Sequence, residues 1–432
     1  MIMSTIIAIS IITIILMMIC IIKFPKIKIK NISIDTFWIA PLISSIIILS
    51  FGLLKIDTAI SGLTNSSSIN PIKILVLFFS MTFLSIVLDE LGFFEVLANF
   101  ALKKVKQSQL SLFLILYVLT SILTIFTSND IIILTFTPFI IFFSKRANIN
   151  PIPYLVSEFV AANTWSMFLI IGNPTNIYLA TSGNISFFEY TSKMALPTIF
   201  AGIVSLGLLL LIFRKSLKAP LKIEIEEAKI KNKFLLIVNL ICLSLCTIIL
   251  SISSYLPIKI EMYLVSMIFA LILLVVIVIF SLIKKNGNIL ATSIKRLPWT
   301  LLPFVLSMFI IVLALKETHV TNELTNIFKL GNPIFVYGIV STLLCNFINN
   351  IPVSVLFSEV VEKGVSSQIY ASIIGTNIGA FLTPIGALAG IMWLSILKQN
   401  NVKFNFITFT KYGALIAIPT LLAALISLSL IL

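Results

Sequence analysis

Apolar runs of about 17–22 residues recur along the whole chain, separated by short polar or basic loops. That length spans a hydrocarbon core of ~30 Å. The pattern predicts membrane helices at Ile2–Ile22, Ile34–Leu54, Ile72–Leu91, Pro197–Phe213, Phe234–Tyr255, Met262–Ile283, Trp299–Leu315 and Tyr412–Leu432. Phe93–Lys106 combines an apolar stripe with a basic end, the pattern of a helix lying in the membrane interface. Asn322–Leu330 reads as a second short interfacial helix.

Four further apolar stretches are interrupted by polar residues. Leu110–Phe126 and Ile131–Phe143 flank Thr127-Ser128-Asn129-Asp130, and Lys145-Arg146 closes the second flank, so the segment reads as a hairpin. Pro333–Phe347 and Ile351–Val361 flank Asn349-Asn350 in the same way. Tyr154–Tyr178 is broken at Gly172-Asn173-Pro174-Thr175-Asn176, and Tyr370–Leu397 at Thr383-Pro384-Ile385-Gly386. Gly and Pro together break helix. Irregular backbone at membrane depth is tolerated only where protein or a water-filled cavity surrounds it. The four interruptions are therefore expected to gather at one site.

Basic loops orient the chain by the positive-inside rule. Lys23–Lys30, Lys103–Lys106, Arg214–Lys233 and Lys284–Arg296 fall on one side, read as cytoplasmic, if the first hairpin enters from the cytoplasm and the second from outside. That is an inverted repeat. Asn163 precedes Gly172 by nine positions, and Asn377 precedes Gly386 by nine; the two glycines lie 214 positions apart. The expected fold is an all-α polytopic membrane protein with inverted repeats, each holding a re-entrant helical hairpin and a discontinuous transmembrane helix. The expected divisions are an N-terminal transmembrane helix at 1–33, a first repeat at 34–213, a cytoplasmic linker at 214–233 and a second repeat at 234–432.

Composition narrows the function. Of 432 residues, 59% are hydrophobic and 11% charged, which excludes a soluble domain of this length. The net charge of +14 lies in short loops between spans, so it needs no nucleic acid. Alternating ~10-residue segments of a β-barrel are absent. The first segment has no basic start or small-residue cleavage site and reads as a retained helix. Cys20, Cys242, Cys246 and Cys345 sit in apolar runs without metal-ligand spacing. No phosphate-binding loop, His-Glu-x-x-His or nucleophile elbow occurs, so the chain reads as a non-enzyme with no cofactor.

Half-helix N-termini attract anionic or electron-rich oxygens, and unwound carbonyls with Asn, Ser and Thr oxygens suit small cations. The candidate substrate-binding residues are Ser128, Asn129, Asn173, Thr175 and Asn176 from the first half. From the second come Asn349, Asn350, Thr376, Asn377, Thr383 and Gly386. Asp130, an ionisable residue between apolar flanks, is the candidate for the coupling ion or proton, and equally a cap for the following helix. Glu158 reads as an interface residue or part of a proton path.

With these residues in place, the chain resembles the ion transporter superfamily and, within it, the arsenical pump membrane proteins, which are arsenite and antimonite permeases. The resemblance rests on Leu88-Asp89-Glu90-Leu91-Gly92-Phe93-Phe94-Glu95 and on Ser128-Asn129-Asp130 through Thr137-Pro138. It continues with Leu297-Pro298-Trp299, Asn349-Asn350-Ile351-Pro352 and Gly375 through Trp393. It implies proton-coupled export of the neutral hydroxides of As(III) and Sb(III) across the inner membrane, in some members with an ATPase subunit, and a homodimeric carrier. Two departures stand out. Asn377 occupies a position where such pumps often carry Asp, and the Gly172–Asn176 string is more like the citrate and other anion permeases of the superfamily. A sodium- or proton-coupled dicarboxylate or citrate carrier, a sodium/proton antiporter and the channel subunit of an ATP-driven pump remain the alternative functions.

Overall fold

The computed structural model describes residues 2–24, 26–29, 32–64, 70–102, 108–219, 229–252, 260–284, 287–329, 331–362 and 364–432. Lys30, the Lys103–Lys106 cluster, the middle of the linker (220–228) and Tyr255 lie outside them.

The chain opens with α1 (Ile2–Lys23) and a hairpin of β1 (Lys26–Ile29) and β2 (Ile32–Asp35), paired antiparallel with Lys26 opposite Asp35. The alternation Lys-Ile-Lys-Ile is a period-two signal, and it displaces the start of the helix expected from Ile34. Helix α2 covers only Ile39–Ser50. The loop expected at Lys55–Pro71 instead contains α3 (Ile56–Thr64). Helix α4 (Pro71–Glu90) follows, capped by Asn70, whose side chain accepts from the backbone N–H of Ile72 and Lys73. The amphipathic α5 (Phe93–Leu102) begins where expected.

The interrupted stretches then appear as paired helices. Helices α6 (Gln109–Phe126) and α7 (Asn129–Arg146) form the first hairpin, with Thr127 and Ser128 in extended backbone between them. Helices α8 (Ile152–Trp165) and α9 (Pro174–Ser182) are two halves of a broken helix, joined through a short 3-10 turn at Ile170–Gly172. Helix α10 (Phe187–Phe213) runs for 27 residues, ten more than its apolar core alone suggested. Then come α11 (Lys233–Ile252), α12 (Met262–Lys284) and α13 (Asn288–Arg296), the last within a segment read as loop. Helices α14 (Leu301–Glu317) and α15 (Val320–Phe328) lead to the second hairpin, α16 (Pro333–Ile348) and α17 (Asn350–Val360). The second broken helix is α18 (Ser366–Gly379) and α19 (Leu388–Gln399), joined at Pro384–Gly386. Helix α20 (Phe406–Ser429) ends the chain. Each half thus holds a hairpin followed by a broken helix.

Burial sorts these elements by role. Every residue from Pro153 to Thr164 of α8 and from Gln368 to Gly379 of α18 is buried, polar ones included. By contrast α12 presents Ile268, Leu271, Val275, Ile279 and Leu282 outward. Among the described residues eight helical stretches are long and apolar enough to cross a membrane. The apolar helices face lipid, and the broken ones are sheltered inside, where irregular backbone can be hydrogen-bonded by protein.

Small residues set the closest contact in the second half. Gly375 and Gly379 of α18 lie against Gly338, Ser341 and Thr342 of α16. A Cβ at Gly375 would overlap the Gly338 carbonyl oxygen and the Ser341 hydroxyl. At this distance Thr342 Oγ1 donates to the Gly375 carbonyl at 3.2 Å, and Asn346 Nδ2 to that of Gly379 at 3.3 Å. Packing of this kind drives helix association where lipid is as apolar as leucine.

Ion pairs tie loop ends together. Arg296 bonds Asp89 at 2.6 Å and Glu90 at 2.5 Å, joining α13 to α4. At the other end of α4, Lys73 pairs with Glu261 at 2.6 Å, and Lys316 of α14 pairs with Glu359 of α17 at 2.7 Å. Each pair joins two ends that the charge pattern assigns to one face.

Replacing Gly375 by Ala is expected to cost about 1–3 kcal/mol through overpacking against backbone, read as a lower thermal midpoint of the detergent-purified protein. Gly207, with nothing within 4 Å of an added Cβ, is the matched control and should tolerate Ala. Single cysteines placed in the Arg214–Lys233 loop, in a chain freed of its own cysteines, should resist an impermeant thiol reagent in whole cells. Labelling there from outside would reverse the orientation.

Candidate functional site

The break in the first broken helix forces its backbone to turn inside the protein. Gly172 is required there, because a Cβ would overlap the Ser166 carbonyl oxygen; Gly386 plays the same part against the Gly379 carbonyl oxygen. These turns leave carbonyls and amides without helical partners, and side-chain amides take their place.

Asn377 of α18 is the hub. Its Oδ1 accepts from Asn173 Nδ2 and from Ser166 Oγ, each at 2.8 Å. Its Nδ2 donates to Asn176 Oδ1 at 2.6 Å and to the Ile373 carbonyl at 2.8 Å. Asn176 Nδ2 in turn donates to the Ser166 carbonyl at 2.7 Å. Thr376 Oγ1 reaches Thr175 Oγ1 at 3.4 Å. Every one of these residues is buried. The two halves of the chain, 201–211 positions apart in sequence at these contacts, therefore meet through neutral hydrogen bonds.

The first hairpin tip joins the same chain of bonds. Asn129 Nδ2 donates to Asn163 Oδ1 at 3.1 Å, and Ser166 Oγ, which reaches Asn377, is also 2.9 Å from the Asn163 carbonyl. The second tip is tied to the second break: Asn349 Nδ2 donates to the Ile385 carbonyl at 3.0 Å. Thr383 gives both its backbone N–H, at 2.9 Å, and its hydroxyl, at 2.7 Å, to Asn346 Oδ1. Asn163, Ser166 and Asn346 were not among the sequence candidates. The nine-residue spacing from Asn163 to Gly172 pointed to the first; Ser166 and Asn346 carry no signal beyond being polar in apolar runs.

Four half-helix N-termini surround these bonds, and they differ. Asn173 caps α9 by accepting from Thr175 N–H, and Asn349, at φ 75°, caps α17 by accepting from Ile351 N–H. Helices α7 and α19 have no side-chain cap. Their free N–H groups and dipoles can receive oxygen atoms of a ligand. Beside the open α7 terminus, Ser128 Oγ and Asn129 Oδ1 are buried without a hydrogen-bond partner. Asn350 is buried and makes no side-chain hydrogen bond to the other candidates. Asp130 is half-buried in the first turn of α7, and no hydrogen bond or ion pair of its carboxylate is found among the described residues.

No Lys or Arg lies in either tip or either break, and among the described residues no group of His, Cys, Asp or Glu is arranged to hold a metal. A cavity of about 390 Å³ runs along the middle and C-terminal part of α7, lined by Asp89, Glu95, Thr135, Pro138, Phe142 and Arg296.

Residues 1–363 match the family model described as "Citrate transporter". The "Arsenical pump membrane protein" of Yersinia enterocolitica is 27% identical over 375 residues, covering 82% of this chain and 85% of that protein. Its namesake in Escherichia coli K12 is 27% identical over 382 residues with the same coverage. A "46 kDa membrane protein" of Mycobacterium leprae is 27% identical over 374 residues, with 82% and 84% covered. The crystal structure of the YdaH transporter of Alcanivorax borkumensis, titled as revealing an unusual topology, aligns over 100% of this chain and 97% of its own, at 12% identity and a TM-score of 0.57. That likeness concerns the fold.

Asn377→Ala is expected to strand two buried groups, Asn173 Nδ2 and Asn176 Oδ1, while Ser166 Oγ keeps the Asn163 carbonyl at 2.9 Å. At about 1–3 kcal/mol for each group left unsatisfied, the thermal midpoint should fall well below that of Asn350→Ala, which breaks no side-chain bond. Equal midpoints would remove Asn377 from the centre of the network.

Proposed function

The chain belongs to the citrate transporter family, a polytopic transporter of the inner membrane, and from that premise we propose that it exports the neutral hydroxides of As(III) and Sb(III) in exchange for protons. The observation that carries this reading is the neutrality of the site. A trihydroxide offers donors and acceptors with no net charge, and amides and hydroxyls offer both in return. A di- or tricarboxylate needs strong positive compensation, which here only the open ends of α7 and α19 supply.

In this reading Ser128, Asn129, Asn173, Thr175 and Asn176 meet the substrate from one side. Asn349, Asn350, Thr376, Asn377, Thr383 and the cradle at Gly386 meet it from the other. Asp130, at the open N-terminus of α7, meets the coupling proton. Inverted repeats at 34–213 and 234–432, flanking a cytoplasmic linker at 214–233, would present these residues alternately to the two faces. The pairing of ion-paired ends on common faces supports this arrangement. The names of the curated relatives support the substrate, and the name of the family model supports a second reading, a proton- or sodium-coupled citrate-type carrier. An ATPase subunit and a homodimer stand as further proposals on the resemblance.

Everted vesicles carrying the protein should accumulate arsenite when acidified inside, and lose that accumulation when the proton gradient is collapsed. Asp130→Asn should abolish accumulation while leaving folded protein in the membrane. Accumulation of citrate instead, or dependence on sodium alone, would replace the arsenite reading with the second one.

A further inference from the structure

One buried carboxyl has no place in the site just described. Glu158 sits two turns into α8 and is 1% exposed. Its partners are two neutral donors from two different elements. Thr137 Oγ1 of α7 lies 3.1 Å from Oε1 and 3.2 Å from Oε2, and Trp393 Nε1 of α19 lies 3.3 Å from Oε2. The Phe159 and Trp393 rings meet at a tilt of 48°, with centroids 5.2 Å apart. No ion pair of Glu158 is found among the described residues. The titratable groups on α8 and the elements packed around Glu158 are Tyr154 of α8, Tyr117 of α6, Asp130, Lys145 and Arg146 of α7, Glu189, Tyr190 and Lys193 of α10, Tyr370 of α18, Lys398 of α19, and Lys411 and Tyr412 of α20. None of them bonds Glu158.

A carboxylate anion has about four acceptor sites and, once buried, needs a countercharge or a full set of donors. Here one hydroxyl is shared between both oxygens and one indole N–H is long. The arrangement suits a carboxylic acid better than an anion: the acid can donate its own proton to Thr137 Oγ1 and accept from Trp393.

Position gives this group a use. Glu158 bridges three elements of the site: the first hairpin through Thr137, the first broken helix on which it stands, and the second broken helix through Trp393. Asp130 and Thr137 are seven residues apart on α7, so they share one face of it, about 10 Å apart along the axis. Thr137 is followed by Pro138, which lines the cavity leading along α7 toward the ends of α4 and α13. Glu158 is thus bonded to the residue next to one that lines the cavity, on the helix that carries Asp130 at its tip.

We propose that Glu158 is the carboxyl that holds the transported proton on the cytoplasmic side of the site. It is protonated while Thr137 and Trp393 clasp it, and it ionises by releasing that proton toward the cavity when the clasp on α19 opens. The proposal rests on the proton-coupled reading above, and adds to Asp130 a second titrating group.

The test uses the full chain in proteoliposomes, with Glu158→Gln as the isosteric mimic of the acid. Glu158→Gln should keep exchange of labelled for unlabelled arsenite across the membrane, which needs no net proton movement, and should lose proton-driven accumulation at least tenfold. Glu158→Asp should restore part of that accumulation. In infrared difference spectra the wild type should show the carbonyl band of a buried protonated carboxyl, lost in Glu158→Gln and displaced in frequency in Trp393→Phe. Full accumulation by Glu158→Gln, or a wild-type spectrum without that band, would overturn the proposal. Loss of both exchange and accumulation in Glu158→Gln, with the protein folded, would also overturn it and make Glu158 a positioning residue. If the wild type moves no arsenite under any gradient, the functional reading fails, and the infrared band alone decides whether Glu158 carries a proton.

Discussion

Backbone that leaves the helix inside a membrane must be hydrogen-bonded by protein, and this requirement governs the molecule. Each of the two breaks needs a glycine because a neighbouring carbonyl occupies the space of a Cβ. The groups freed by the turn are met by asparagines at the hub. Asn377 alone joins α18 to three positions around the first break. Neutral amides do this well because each both donates and accepts. A Lys or Asp in the same place would bring a buried charge to be compensated.

The remaining architecture follows from sheltering that core. Helices α8 and α18 are too polar to face lipid, so α6, α10, α16 and α20 pack against them and turn apolar residues such as Ile122, Ile203, Leu343 and Ile418 outward. Close approach through Gly338, Gly375 and Gly379 lets α16 and α18 pack backbone to backbone, which puts Asn346 within reach of the second break. Capping then divides the half-helices into two classes. Asn173 and Asn349 close α9 and α17 on themselves, while α7 and α19 stay open. The hydrogen-bonding capacity left for a ligand is thus concentrated where the first hairpin faces the second broken helix.

Much of this was legible in the sequence. The polar tetrad Thr127–Asp130 and the pair Asn349-Asn350, each between apolar runs, marked the two hairpins, and Gly and Pro marked both breaks within a residue or two. The run of Asn residues marked the network, because an amide in a lipid-length segment has few uses other than bonding. Three things were not legible. The β-hairpin at Lys26–Asp35 hid in a basic loop whose charges were read for orientation and whose alternation was not. Ser166 and Asn346 act through backbone turns that no spacing announces. Glu158 reads from sequence as an interface residue or part of a proton path, because it lies only four residues into the stretch that starts at Tyr154. Its burial depends on Thr137 and Trp393, which are brought there by tertiary packing over 21 and 235 positions.

The placement of charge has an electrical consequence. Arg296 with Asp89 and Glu90, Lys73 with Glu261, and Lys316 with Glu359 all lie near helix ends, at the two water-facing sides. Asp130, at the tip of the first hairpin, and Glu158, 1% exposed within α8, are by contrast carboxyls without an ion pair among the described residues. A charge carried through 100 mV gains or loses about 2.3 kcal/mol, so the field acts on these two groups while leaving the amide network untouched. In the proposed proton-coupled cycle, the voltage across the membrane, as much as the acidity on either side, would thereby have a handle on the hairpin α6–α7 and the helix beside it.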